Sequence, residues 1–150
     1  MDRIDIATNK KAFRDYEILE RIEAGISLVG SEVKSLRASK ASLVDGFARI
    51  DGDEVNLYNV DIAAYAQASY LNVEPKRVRK LLLHRAQILK LREKTSQRGF
   101  VLVPLKLYFN SRGVAKIEMA LAKGKKLYDR RSDIKKKEAD MAIRRAVRKR

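Results

Sequence analysis

The chain has 150 residues, with 34 Lys and Arg against 19 Asp and Glu, a net charge of +15 and a sequence pI near 10.2. That length predicts one domain with a short extension, and a hydrophobic content of 45% suffices for a modest core. With no cysteine and one histidine, the chain excludes disulfides, thiolate metal sites, a cysteine nucleophile and any site needing two histidines.

Residues 1–13 read as a flexible, polar N-terminus. Met1-Asp2-Arg3-Ile4-Asp5 is acidic where a signal peptide would be basic, and no apolar run is long enough to span a membrane. A soluble, cytoplasmic protein is the expectation. From Tyr16 the even positions read Tyr16, Ile18, Glu20, Ile22, Ala24, Ile26 and Leu28 while the odd ones are mostly polar, predicting a strand with one buried face. Gly25 within it suggests a bend or bulge. Ser31 is placed to cap a short helix that carries Val33 and Leu36 inward and Lys34 and Arg37 outward.

Strands are expected over 46–50 and 54–58, joined by the turn Asp51-Gly52-Asp53. Residues 60–65 either extend the second or begin another. Pro75 opens a helical stretch from Arg77 to about Ser96, with Val78, Leu81, Leu82, Ile88 and Leu89 at helical spacing and a break near His84. Residues 100–109 and 114–122 form a long hairpin around Asn110-Ser111-Arg112-Gly113, with one dry and one polar face. Pro104 belongs at an edge or a bulge because it has no amide to donate. The fold expected is mainly β with flanking helices. It is a small antiparallel barrel of the oligonucleotide-binding (OB) type over 14–122, with about six strands and two or three helices. An open α+β sheet is the alternative.

Residues 123–150 hold 13 Lys and Arg against four Asp and Glu, a net +9 that leaves +6 on residues 1–122. Such a concentrated cationic tail repels itself when free and points to a polyanionic partner. Ala139, Ala142, Ile143, Ala146 and Val147 form a narrow apolar stripe flanked by Arg144, Arg145, Arg148 and Lys149. The tail is expected to be disordered when free and to fold along phosphate; a surface helix on the body is the other reading.

His84 has too few partners for a triad or a metal cluster and suits a cap or a surface position. Asp51, Asp53 and Glu54 invite comparison with a nuclease metal site, but a hairpin turn uses the same residues. Basic residues interleave with aromatics at Arg14 and Tyr16, at Lys106 and Tyr108, and at Lys125, Lys126 and Tyr128, combining phosphate attraction with stacking surface. RNA binding leads, with no cofactor. A general single-stranded-RNA binder, a metal-dependent RNase and a membrane-surface binder stay open as alternatives.

Longer runs are more specific. Asn9-Lys10-Lys11-Ala12, Asp15-Tyr16-Glu17-Ile18, Glu23-Ala24-Gly25-Ile26, Glu32-Val33-Lys34-Ser35-Leu36-Arg37-Ala38, Arg79-Lys80-Leu81-Leu82-Leu83-His84, Val103-Pro104-Leu105-Lys106-Leu107-Tyr108, Ala122-Lys123-Gly124-Lys125-Lys126 and Tyr128-Asp129-Arg130-Arg131 follow one another in order. Together, over roughly residues 9–135, they resemble the small protein B family of SsrA-binding proteins. The resemblance implies an OB-type barrel that binds the tRNA-like domain of transfer-messenger RNA. It implies delivery of that RNA to stalled ribosomes, where the protein stands in for the anticodon arm and the nascent chain is tagged for degradation. It also implies no catalysis, a monomer, and indirect partnership with elongation factor Tu and alanyl-tRNA synthetase through the RNA.

By position, the resemblance assigns Glu23, Lys34, Arg37, Leu82, His84, Lys116 and Gly124 to the tRNA-like domain, with Gly124 allowing close backbone approach. It assigns Asp129, Arg130, Arg131, Lys135, Arg144 and Arg145 to the tail. There they would meet small-subunit ribosomal RNA at the decoding centre and in the vacant messenger channel, where the tail becomes helical. This chain departs from the family pattern at Arg14, where a histidine is frequent. It also lacks a tail tryptophan and offers Ala139, Ala146 and Val147 where bulkier residues are common.

Overall fold

In a computed structural model, residues 3–65 and 73–124 are described. Along the chain run β1 (Ile4–Thr8), α1 (Lys10–Asp15), β2 (Tyr16–Ile26), α2 (Gly30–Arg37), β3 (Ala41–Ser42), β4 (Phe47–Asp51) and β5 (Glu54–Tyr58). They are followed by β6 (Asp61–Ile62), β7 (Arg79–Leu82), α3 (Arg85–Thr95), β8 (Phe100–Phe109) and β9 (Ala115–Gly124). The pairing order β8-β4-β5-β7-β2-β9 closes on itself because β9 also pairs with β8, so six antiparallel strands form the expected barrel. Closure removes the free edges of an open sheet. One strand more, β1, lies against β8 outside the ring, and β3 and β6 pair as a separate two-stranded sheet.

Of the segment expected to be flexible, residues 4–13 are built into the fold. They contribute β1 and most of α1, and Asn9, 2% exposed, anchors them to the body. Its Oδ1 accepts from the Ala12 amide at 3.1 Å, capping α1, and its Nδ2 donates to the carbonyls of Leu43 at 3.0 Å and Pro104 at 2.9 Å. A single polar side chain here satisfies three backbone groups, which a count of apolar residues does not register. The α2 cap also moves: it begins at Gly30 with Val29 in the cap position. The Glu32 carboxylate, rather than Ser31, accepts from the Val29 amide at 3.0 Å.

Part of the predicted helix over 77–96 is strand. Residues 79–82 form β7, whose Arg79 and Leu81 point inward while Lys80 and Leu82 point outward, and α3 starts only after His84, at the expected break. The helix stops at Thr95 with Ser96 as its cap, at the expected end.

Pro104 lies at a bulge, since the β8–β9 register shifts between Pro104 and Lys106. The shift reverses the facing of the strand. Leu102 and Leu107 both enter the main core, whereas Val103 and Leu105 join Ala12, Ala120 and Ala122 in a second cluster under α1. The hairpin therefore buries both faces along much of its length, in place of the one dry and one polar face expected. Asn110 closes its turn by accepting from the amides of Arg112 at 2.9 Å and Val114 at 3.0 Å.

In β2 the bulge falls between Ile18 and Glu20, not at Gly25. Gly25 instead marks a change of partner, facing Lys116 of β9 on one side and Leu82 of β7 on the other. A Cβ there would lie 3.1 Å from Leu82 Cβ, tighter than most such contacts, so the close approach of β7 favours glycine.

Candidate nucleic-acid interface

Four separate elements bring four of the expected residues to one place. Glu23 comes from β2, Leu82 from the outward face of β7, His84 from the cap position of α3, and Lys116 from β9; all line a groove of about 690 Å3. Period-two geometry explains the presence of Lys80 and Leu82, since Arg79 and Leu81 face inward. Leu82 is 53% exposed, an apolar side chain held in water at the centre of a polar rim. His84 is exposed, and its amide donates to Gln87 Oε1 at 3.1 Å, which starts α3 and fixes where the imidazole emerges.

The charged residues of the groove nearly balance. Lys80, Arg85 and Lys116 stand among Glu23, Asp53 and Glu54, and Lys80 Nζ lies 3.3 Å from Glu54 Oε1. A lining of that kind offers donors and acceptors together, which suits reading of base and sugar edges more than bulk attraction of phosphate. Sequence reasoning did not single out Lys80, Arg85 or Gln87. The signal for Lys80 was its alternation with Arg79 and Leu81, hidden by the helical reading of that run.

Glu23 has a partner from the far side of β9. The buried Tyr108 hydroxyl donates to Glu23 Oε2, and burial followed by that hydrogen bond raises the phenol well above its ordinary pKa. Tyr108 is 2% exposed, so it is not the stacking surface suggested by its neighbour Lys106.

The remaining expected residues lie elsewhere. Gly124 pairs with Tyr16 at the opposite end of β9, beside a second concavity of about 880 Å3 that also includes Asp15, Phe47 and Arg49. Lys34 and Arg37 are exposed on α2, where Lys34 Nζ sits 5.6 Å from the centre of the Tyr65 ring. Arg14 is exposed, with Nε 3.3 Å from Asp15 Oδ1. Asp129, Arg130, Arg131, Lys135, Arg144 and Arg145, with Lys125, Lys126 and Tyr128, fall outside the described residues.

The carboxylates at the β4–β5 turn are each directed onto a donor. Asp51 accepts from Tyr58 Oη at 2.5 Å, Asn56 Nδ2 at 2.9 Å and Arg49 Nε at 2.8 Å, and these hydrogen bonds pull its pKa down to about 2. Asp53 lies 3.4 Å from Arg92, and Glu54 is the partner of Lys80. Among the described residues no group of three or more His, Asp or Glu side chains is arranged to hold a metal ion, and no helix is long and apolar enough to cross a membrane.

Known proteins resemble this chain along most of its length. The family model described as SmpB protein matches residues 6–149. The SsrA-binding protein of Pelotomaculum thermopropionicum is 53% identical over 145 residues, covering 97% of this chain and 94% of the relative. That of Carboxydothermus hydrogenoformans is 52% identical over 150 residues, covering 100% and 99%. A chain in the solved structure "tmRNA-SmpB: a journey to the center of the bacterial ribosome" superposes with a TM-score of 0.68 at 53% identity, covering 79% of this chain and 82% of that one.

Proposed function

The chain belongs to the SmpB family of SsrA-binding proteins, and from that premise we propose that it binds the tRNA-like domain of transfer-messenger RNA and serves trans-translation. The observation that carries the site assignment is the convergence of Glu23, Leu82, His84 and Lys116 on one groove. Lys116 contributes attraction to phosphate, and Glu23 accepts from base amino or ribose hydroxyl groups. Leu82 and the His84 imidazole supply apolar and stacking surface for an unpaired base. Lys34, Arg37 and Gly124 make peripheral contacts to the same RNA.

The tail then acts on the ribosome. Asp129, Arg130 and Arg131 work at the decoding centre, while Lys135, Arg144 and Arg145 follow small-subunit RNA phosphate along the vacant messenger channel as the segment turns helical. The body of residues 14–122 and the tail of 123–150 thus divide recognition from rescue. The protein is a cytoplasmic, monomeric adaptor with no covalent step of its own. Elongation factor Tu and alanyl-tRNA synthetase join through the RNA.

The test is binding of the full chain to a transcript of the tRNA-like domain at about 0.2 M salt, where general phosphate attraction is weakened, with ordinary tRNA in excess. Competitor-resistant binding, weakened by His84→Ala and by Lys116→Ala, is the expected result. Binding that ordinary tRNA removes would reduce the protein to a general RNA binder.

A further inference from the structure

Glu23 sits where its charge is hardest to use. It is the acid in a groove read as an RNA interface, and it lies directly across from a second acid, Glu118 of β9. Two carboxylates facing each other on adjacent strands repel, and a free carboxylate on an exposed strand would also be mobile about its side-chain torsions. Something must hold it in one orientation if it is to select a hydrogen-bonding partner.

The side chain that reaches it belongs to neither strand. Tyr108 stands on β8, opposite Lys116 of β9, and β9 separates it from β2; its hydroxyl nevertheless donates to Glu23 Oε2. The ring is buried, and Arg3, the residue just before β1, lies over it. The Arg3 guanidinium lies 3.6 Å from the ring centre, held by its own Nε at 2.8 Å from Asp5 Oδ1, and Asp5 is the register partner of Tyr108. Burial and the bond to Glu23 raise the phenol pKa, so it remains a donor through neutral pH. A short chain of contacts thus runs from β1 through Arg3 and Tyr108 to the groove.

We propose that Tyr108, covered by Arg3, is a positioning residue that fixes the Glu23 carboxylate for RNA, making the N-terminal strand part of the RNA-binding apparatus. With one Glu23 oxygen occupied by the phenol, the other is presented to the groove in a defined direction, at little entropic cost when RNA binds. The repulsion from Glu118 is eased from another side, by Arg21, whose Nη1 lies 3.4 Å from Glu118 Oε1. The inference rests on the reading of the groove as the RNA interface.

A thermodynamic cycle on affinity for the tRNA-like domain transcript tests it, using Glu23→Gln, Tyr108→Phe and the double variant, with thermal melts of each. Tyr108→Phe keeps the ring and removes one hydrogen bond to a charged group, so binding should weaken by about tenfold. In the Glu23→Gln background the same change should have little further effect on affinity. A merely structural role would lower the melting temperature in both backgrounds and leave no such coupling. Weakened Glu23→Gln with unchanged Tyr108→Phe, or additive losses, overturns the proposal and leaves the interface standing. Unchanged affinity in both singles removes Glu23 from the interface and the proposal with it. Should Tyr108→Phe fail to fold, Arg3→Ala approaches the coupling from the solvent side: a loss of affinity that disappears in Glu23→Gln supports it, and no loss overturns it.

Discussion

Arg79 has no exposed surface, at a strand position that alternation reserves for an apolar side chain. It survives there because every direction of its guanidinium is met. Nε lies 2.6 Å from Glu32 Oε2, and the terminal nitrogens donate to the Val60 carbonyl at 2.7 Å and the Pro75 carbonyl at 2.8 Å. Arg77 adds a contact of 2.5 Å to Glu32 Oε1. Removing the acid strands a buried cation, so Glu32→Gln should cost about 3–5 kcal/mol in urea unfolding, far more than its small change in shape suggests. The pH dependence has a definite sign. Burial pushes Glu32 up, but hydrogen bonds from Arg77, the Val29 amide and Arg79 outweigh it, leaving its carboxyl below the ordinary 4.5. A depressed folded value means the contribution is complete above the unfolded pKa and is lost as pH falls through the folded one. Wild-type stability should therefore drop on acidification below about pH 4.5, and the drop should be smaller in Glu32→Gln. Asp51 offers a solution check of the same kind. Its carboxyl should titrate near 2 by carbon-detected NMR, and Tyr58→Phe, which removes the first of its donors, should raise that value toward the ordinary 3.8.

Strands that alternate cleanly were legible in the sequence, and β7 was not, for a reason carried by these same residues. Residues 54–58 and 105–109 place their apolar positions at period two and were read within the strands β5 and β8. In Arg79-Lys80-Leu81-Leu82 the inward pair contains a charge and the outward pair contains a leucine, so the usual inside-outside contrast is inverted. Two adjacent leucines then fit helical spacing as well as any other. The inversion shows at both ends: Glu32 makes a buried arginine tolerable, and the exposed leucine lines the groove. The four groove residues were found by family resemblance; periodicity alone would have put Leu82 in the core. Gly25 links the barrel to that groove, because β7 approaches β2 there with little room for a side chain. Gly25→Ala sets a methyl group 3.1 Å from Leu82 Cβ, in a tighter contact than side chains normally make. Either strand spacing or Leu82 must give. The variant should lose about 1–3 kcal/mol of stability, and its affinity for the tRNA-like domain should fall further than that of a variant equally destabilised at a distant core position such as Leu57→Val.

At the scale of the whole molecule the charge is unevenly spent on recognition. Residues 1–122 carry +6 over a barrel whose groove mixes cations and anions, while residues 123–150 carry +9. A body with nearly balanced groove charges should release few counterions on binding RNA, whereas a tail that neutralises about six phosphates should lose roughly a thousandfold in affinity or more between 50 and 200 mM salt. These two behaviours can be separated. β9 remains paired to β2 as far as Gly124, so a chain cut after that residue keeps every described strand pairing. The shortened chain should bind the tRNA-like domain with a shallower salt slope and undiminished resistance to ordinary tRNA. An unchanged slope would place the phosphate contacts on the body, and lost resistance would place recognition in the tail. The ribosomal step separates differently, because Asp129→Ala with Arg130→Ala alters net charge by nothing: one cation and one anion are removed together. Electrostatic attraction to RNA is then preserved, and affinity for the tRNA-like domain should stay within about twofold of wild type. Tagging of nascent chains on stalled ribosomes should nevertheless be abolished in a reconstituted translation assay. Loss of RNA affinity in that charge-neutral variant would mean that the tail root belongs to the RNA interface and that body and tail do not divide the work.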